Sequence, residues 1–238
     1  MLNRPLLYYI TDRKAFGSDE STRRQRLLEK ITEAARSGVD YIQLREKDLS
    51  IRDLESLARE AIKIIRENSS PREQSPQLRP DHPPPALLIN SRADVALATG
   101  ADGVHLRSDD ITPNEIREIW QASCGRGQLA RATLHDPHIA VSCHSPADVA
   151  QAATHHATFS IFGPVFEKLV FEKKDAPASL PAGLGALREA SRTNIPVLAL
   201  GGITLSNVRS CLEAGAAGIA AIRLFQENNI AEIVRALR

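Results

Sequence analysis

The chain has few cysteines, few aromatics and almost no excess charge of either sign. Its 238 residues include three cysteines, one tryptophan and 4% aromatic residues in all. Cys124, Cys143 and Cys211 lie far apart, with no C-x-x-C pair and no Cys/His zinc spacing. That excludes a disulfide framework and a structural zinc ribbon. An odd count fits a reducing compartment, so a cytoplasmic location is expected. So few aromatics exclude a base-stacking platform for single-stranded nucleic acid. Lys+Arg is 30 against Asp+Glu 29, a net charge of +1. This is not the surface of a nucleic-acid-coating or polybasic membrane-binding protein. No run reaches the roughly 18 apolar residues of a membrane-spanning helix. The apolar start of MLNRPLLYYITDRK is short for a signal sequence and runs straight into charge. Near-neutrality still leaves room for a small basic pocket that takes an anionic metabolite.

What the chain does have is alternation. Short apolar runs stand at LLYYIT (6–11), DYIQL (40–44), ALLIN (86–90), GVHL (103–106), HIAVS (138–142), TFSIF (158–162), PVLAL (196–200) and GIAAI (218–222). Each has strand length and is apolar nearly throughout, as in strands covered on both faces. Between them lie segments of helical spacing. Residues 22–37 carry Leu27, Leu28, Ile31, Ala34 and Ala35 on one stripe, and residues 51–66 carry Leu54, Leu57, Ala58, Ala61, Ile62 and Ile65. Thr112-Pro113 and Ser145-Pro146 read as N-caps followed by proline in the first turn. A helix is expected from Thr204, ending at Gly215. Strand–helix alternation implies parallel strands with right-handed crossovers. Eight units in 238 residues predict a single-domain α/β protein, a (β/α)8 TIM barrel spanning 1–238. A doubly wound open sheet is the alternative. It would want G-x-G-x-x-G after the first strand, where this chain reads ITDRKAFG. Residues 68–85, with six of the 14 prolines and no glycine, read as a proline-rich loop insertion before the third strand. Residues 124–137 read as a second insertion.

In such a barrel the chemistry sits at the strand C-terminal ends. There Gln43, Arg45 and Lys47 alternate, so an extended strand would place an amide, a guanidinium and an ammonium on one face. Arg grips phosphate bidentately and Lys adds a point charge. The competing reading pairs these cations with Glu46 and Asp48 as rim salt bridges. Gly201-Gly202 follows the seventh strand, where backbone can approach a phosphate. Asp109-Asp110 suits either magnesium or the N-terminal charge of the next helix. His144 is placed either for acid–base work or for a structural bond to a backbone carbonyl.

YIQLREKDLS, LLINSRADVALATGADGVHL, VSCHS, FGPVF and PVLALGGIT…AGAAGIA together resemble the thiamine phosphate synthase/TenI superfamily, in order and over nearly the whole chain. The resemblance implies a (β/α)8 barrel and small phosphorylated substrates. In the synthases, a hydroxymethylpyrimidine diphosphate loses diphosphate and the resulting cation is captured by the nitrogen of a thiazole phosphate. Gln43, Arg45 and Lys47 then match the diphosphate grip. The resemblance further implies that Asn90 faces the pyrimidine diphosphate, that Asp110 is a Mg2+ ligand, that Ser142 contacts diphosphate, and that Gly201 and Gly202 cup the thiazole phosphate. A homo-oligomer is left open.

Three departures bear on this. The family's Asn-Asp after the third strand is Asn90-Ser91 here, which makes Ser91 a poorer Mg2+ ligand and removes a charge. The Thr-x-Thr-Lys loop after the sixth strand is replaced by GPVFEKLVFEKKDAP, which leaves Lys168, Lys173 and Lys174 for phosphate. Arg223 follows the eighth strand where the family has small residues, and is expected to supplement the phosphate cup. The second departure resembles the TenI branch, a thiazole tautomerase acting on a carboxythiazole phosphate, in which His144 would match the proton shuttle. The retained Gln43, Arg45, Lys47 and Asp110 favour the synthase. A non-catalytic thiazole phosphate binding protein remains a third reading.

Overall fold

The computed structural model describes residues 4–17, 19–69, 82–124, 136–167 and 180–238. Eight parallel strands close into a barrel in sequence order, the first pairing with the eighth. They are β1 (Leu6–Ile10), β2 (Tyr41–Leu44), β3 (Ala86–Asn90), β4 (Gly103–Leu106), β5 (His138–Cys143), β6 (Phe159–Phe162), β7 (Val197–Leu200) and β8 (Gly218–Ala221). Every strand lies within one residue of its predicted limits. The helices are α1 (Glu20–Ser37), α2 (Ile51–Ser69), α3 (Ala93–Thr99), α4 (Pro113–Cys124), α5 (Pro146–Thr154), α6 (Gly183–Ala190), α7 (Val208–Glu213), α8 (Arg223–Gln226) and α9 (Ile230–Leu237).

The continuous apolar runs split by parity. Tyr8, Ile10, Leu88, Ala140, Phe159, Ile161, Leu198 and Ala220 point inward and fill the barrel. Leu7, Tyr9, Ile42, Leu44, Leu87, Ile89 and Val104 point outward and join Leu27, Ile31, Leu57 and Ala58 of α1 and α2 in the larger core. Full burial of such a side chain contributes about 1.5–3 kcal/mol, so both strand faces stabilise the closed sheet.

Local chemistry sets the helix ends. Ser145 caps α5 in a capping box with Asp148, with Pro146 in the first turn. Thr112 and Glu115 exchange bonds of 2.7 and 3.3 Å at the start of α4. Gly38 ends α1 in the left-handed conformation (φ 89°), which costs glycine no Cβ clash.

One boundary differs from expectation. The helix after β7 begins at Val208, because the Asn207 side chain accepts from the Thr204 N–H (2.8 Å) and donates to the Gly202 carbonyl (2.8 Å). That turn occupies the first residues predicted as helix. Of the first insertion, residues 68–69 belong to α2 and 82–85 lead into β3; the stretch between lies outside the described residues. Residues 125–135 of the second insertion lie outside them too. No helix among the described residues is long and apolar enough to cross a membrane.

Candidate active site

The inward positions change character toward the strand C-terminal ends. On β2 to β5 they carry Gln43, Asn90, His105 and Ser142, in a ring where Asn90 pairs in register with His105 and His105 with Ala140. On β6 to β8 and β1 the inward positions carry Ile161, Leu198, Ala220 and Ile10. The mouth therefore has a polar half and an apolar half.

Gln43 is 1% exposed, and its Nε2 donates to Asn90 Oδ1 at 2.8 Å. Its Oε1 is buried without a donor among the described residues. A buried amide oxygen of this kind favours a ligand that brings an N–H. Because β2 ends at Leu44, Gln43 belongs to the barrel interior while Arg45 and Lys47 stand on the loop beyond it. The predicted three-residue face thus separates into a deep amide and an outer cation pair.

Neither cation is taken by its carboxylate neighbours in sequence. Arg13, just past β1, holds Glu46 at 3.2 Å, Asp48 at 2.7 Å and Glu20 at 2.7 Å. Lys14 adds a contact to Asp48 at 3.2 Å. Thr11 Oγ1 donates to Glu46 at 2.6 Å and accepts from the Arg45 backbone N–H at 3.0 Å, which ties the two loops together. The rim-salt-bridge reading of Arg45 and Lys47 is overturned: among the described residues, the Arg45 guanidinium and the Lys47 ammonium have no carboxylate partner. Repulsion from Arg45, then burial, then Arg107 hold the Lys47 pKa below its ordinary value. Like charges kept close with no counterion form an anion site.

Asp110 stands on the loop after β4. Its Oδ2 accepts from Ser91 Oγ (2.7 Å) and from the Arg107 backbone N–H (2.8 Å). Burial alone would raise its pKa; the Arg107 amide, the Ser91 hydroxyl and the Arg107 guanidinium outweigh that and lower it. Asp109 meets Arg107 at 3.3 Å. The start of α4 has its own cap in Thr112 and Glu115, so Asp110 is tied to the mouth through Ser91. Ser91 sits in the left-handed region (φ 54°), rare for a serine, and directs its hydroxyl to that carboxylate.

Around the rim, His144 Nδ1 donates to the Gly163 carbonyl at 2.6 Å. This is the structural bond foreseen for it, and Nε2 has no partner among the described residues. Ser142 Oγ lies 2.8 Å from His105 Nε2. Gly201 (φ 96°) and Gly202 (φ 62°) have left-handed backbones, and a Cβ at either would meet the loop after β6, at 2.5 Å from Pro164 and 2.6 Å from the Glu167 carbonyl. Glycine is therefore demanded there by backbone conformation and by packing of the two loops. Arg223 opens α8 and is exposed. Lys168, Lys173 and Lys174 lie outside the described residues.

The sequence assigned no role to Arg13 or to the inward-facing His105. The signal for His105 was parity. It is two residues after Gly103 on β4, on the inward face of a four-residue strand, and it is 3% exposed.

The comparisons agree with this geometry. The family model for thiamine monophosphate synthase matches residues 7–73 and 81–225. The chain is similar to a thiamine-phosphate synthase of Roseiflexus sp. (strain RS-1), 34% identical over 218 residues, covering 91% of this chain and 76% of that one. It is similar to the thiamine-phosphate synthase of Methanoculleus marisnigri, 34% identical over 234 residues, covering 98% and 93%. Among solved structures, a thiamine phosphate pyrophosphorylase from Pyrococcus furiosus superposes with a TM-score of 0.70 at 26% identity, over 99% of this chain and 95% of that one. The chain belongs to the thiamine monophosphate synthase family.

Proposed function

We propose that the protein is a thiamine-phosphate synthase. It joins hydroxymethylpyrimidine diphosphate to thiazole phosphate, with release of diphosphate. The observation that carries this reading is the uncompensated pair Arg45 and Lys47 at the mouth of a barrel whose relatives are named for this activity. A departing diphosphate needs cations free to receive it, and these are the cations the Arg13 hub leaves free.

The C–O bond to diphosphate breaks with its electron pair leaving on oxygen, and the thiazole nitrogen then forms the new C–N bond to the pyrimidine methylene. Arg45 and Lys47 neutralise the charge that builds on the leaving oxygens, the kind of preorganised stabilisation that lowers such barriers most. The Gln43–Asn90 pair offers an acceptor oxygen to an amino group on the pyrimidine. The apolar half of the mouth, with Ile10, Ile161 and Leu198 beneath it, keeps water from a cation that it would capture. The Gly201-Gly202 turn is the proposed cup for the thiazole phosphate, with Arg223 beside it on α8.

Magnesium fits the donor set in a limited way. Among the described residues no group of three or more His, Cys, Asp or Glu side chains is gathered to hold a metal ion. Asp110 and the Ser91 hydroxyl, 2.7 Å apart, supply two oxygens. Mg2+ is commonly held by one or two carboxylates together with substrate phosphates and water, so Asp110 and Ser91 would hold an ion that arrives with the diphosphate. Bound there, it would supply further neutralisation of the leaving group.

The tautomerase reading keeps one specific support. The bond from His144 Nδ1–H to the Gly163 carbonyl leaves Nε2 as the ring nitrogen available to move a proton, as a shuttle requires. A single assay separates the two. Purified protein is mixed with Mg2+, the pyrimidine diphosphate and the carboxythiazole phosphate tautomer. Thiamine-type phosphate with stoichiometric diphosphate is expected; aromatic thiazole phosphate with no diphosphate released overturns the synthase reading.

A further inference from the structure

A chain of three side chains runs from the barrel interior to the mouth. The Tyr8 hydroxyl lies 2.8 Å from His105 Nδ1, and His105 Nε2 lies 2.8 Å from Ser142 Oγ. Tyr8 is fully buried and His105 is 3% exposed, whereas Ser142 is half-exposed at the rim. The rings of Tyr8 and His105 are within 8° of parallel with centroids 5.7 Å apart. Tyr8 and His105 belong to neither the anion grip nor the Asp110 pair.

The chain admits two polarities with a neutral imidazole. In one, Nδ1–H donates to the tyrosine oxygen and the serine O–H donates to Nε2. The Tyr8 O–H would then need another acceptor, but Tyr8 belongs to an apolar interior cluster with Leu88, Ala140 and Phe159, and among the described residues His105 is the one hydrogen-bond partner of its hydroxyl. A buried hydroxyl proton would be left without a partner, which carries the full desolvation cost of that group. In the other polarity, Tyr8 O–H donates to Nδ1 and Nε2–H donates to Ser142 Oγ. Every buried donor is then satisfied, and the serine O–H is turned outward. An imidazolium is disfavoured too. Burial first, then the positive charge of Arg45, push the His105 pKa down to about 3 against the opposing pull of Asp110, and burial holds Tyr8 protonated.

We propose that Tyr8 and His105 are positioning residues that fix Ser142 as a permanent hydrogen-bond donor toward the anion at the barrel mouth. With Nε2 already protonated, His105 cannot take the serine proton as a base would, so the hydroxyl accepts from His105 and offers its own proton to a diphosphate oxygen. This rests on the reading of the mouth as a diphosphate site; the tautomer itself does not.

Two measurements test it. In 15N-histidine protein, long-range 1H–15N spectra, with the His105 signal assigned by its loss in His105→Gln, should show an Nε2–H imidazole with bare Nδ1. That form should persist across roughly pH 5–8, where an ordinary histidine titrates. An Nδ1–H imidazole or an imidazolium overturns the proposal without reference to substrate. The second is a double-mutant cycle on inorganic diphosphate affinity with Mg2+ present. Tyr8→Phe should weaken binding about tenfold, Ser142→Ala by at least as much, and Tyr8→Phe should add nothing in the Ser142→Ala background. Thiazole phosphate affinity should stay unchanged in Tyr8→Phe. Additive losses would mean a structural role for Tyr8 and overturn the relay. Wild-type protein that shows the Nε2–H tautomer but binds no diphosphate overturns the reading of the mouth instead. If Tyr8→Phe fails to fold, the wild-type spectrum alone decides.

Discussion

The two ends of the barrel treat charge in opposite ways. At the N-terminal end every group named is answered within the chain. Asp40 accepts from the Leu7 N–H at 2.8 Å, from Arg4 at 3.0 Å and from Arg238. Asp102 accepts from the Leu87 N–H at 2.8 Å, and Thr158 from the Ile139 N–H at 2.9 Å. Residues just ahead of β2, β4 and β6 thus satisfy strand amides of β1, β3 and β5. At the C-terminal end, Arg13, Lys14 and Arg107 are paired with carboxylates, and Arg45 and Lys47 are not. Arg13 binds three carboxylates, and that is what leaves Arg45 and Lys47 unanswered. One end closes the fold with its charges; the other holds charges ready for something that is not part of the chain.

The largest effect should follow from removing an unanswered cation. Arg45→Ala is expected to lower kcat/KM for the pyrimidine diphosphate about 10²–10³-fold, the usual cost of one preorganised donor to developing charge. Thiazole phosphate binding and the thermal midpoint should be unchanged, because the Arg45 contact that joins the loops is made by its backbone. A fall in melting temperature that accounts for the lost turnover would erase the distinction between the ends.

The mirror experiment is Asp40→Ala. Its side chain is 11% exposed and accepts from two arginines and an amide. Hydrogen bonds to charged groups are worth about 1.5–3 kcal/mol each before partners relax toward water, so a loss of about 2–3 kcal/mol is expected. It should appear in urea as a lower midpoint at unchanged m. Turnover per folded molecule should match wild type. A catalytic defect in the folded fraction would show that the N-terminal end reaches the site.

How far the sequence goes depends on which end is considered. The strands were legible because both of their faces are buried, so that each reads as a short unbroken apolar run. The cations were legible because strand-end residues in a barrel are easy to locate. Their partners were not. Nothing in REKDL says that Glu46 and Asp48 turn to Arg13, more than 30 residues earlier, instead of to Arg45 and Lys47 beside them. The Tyr8–His105–Ser142 chain was hidden for the same reason. It joins β1, β4 and β5 across separations of 97 and 37 residues and exists only once the closed register is known. The glycines were found for an incomplete reason: close approach was foreseen, but the neighbour was the loop after β6.

A smaller effect should come from the Ser91→Asp substitution. Aspartate tolerates the left-handed conformation that Ser91 already adopts (φ 54°) better than most residues do. The substitution sets a second carboxylate where a hydroxyl now donates to Asp110. Without metal the two should repel; with Mg2+ they should grip it. The half-saturating Mg2+ concentration for turnover is expected to fall about tenfold, or about 1.4 kcal/mol, and melting should become Mg2+-dependent. Unaltered Mg2+ dependence would place the ion away from Asp110.

The smallest effect is a matter of pH. Arg45 foremost, then burial and Arg107, hold the Lys47 pKa below the ordinary 10.5. A lysine whose pKa is lowered on folding opposes folding while it is charged in both states. That penalty is present in full at pH values below the folded pKa. It is relieved as pH rises through that value toward 10.5, so the contribution of Lys47 to stability grows with pH. The side chain is largely exposed, and screening limits the effect to about 0.3 kcal/mol. It should be read as a difference in urea midpoint between wild type and Lys47→Met that narrows as pH climbs, and it should shrink in Arg45→Ala, where burial and Arg107 remain. Added diphosphate should reverse the sign by raising the Lys47 pKa, with a proton taken up on binding near that pH. If the lysine were already answered inside the chain, as the charges of the N-terminal end are, neither the pH slope nor the proton uptake would be seen.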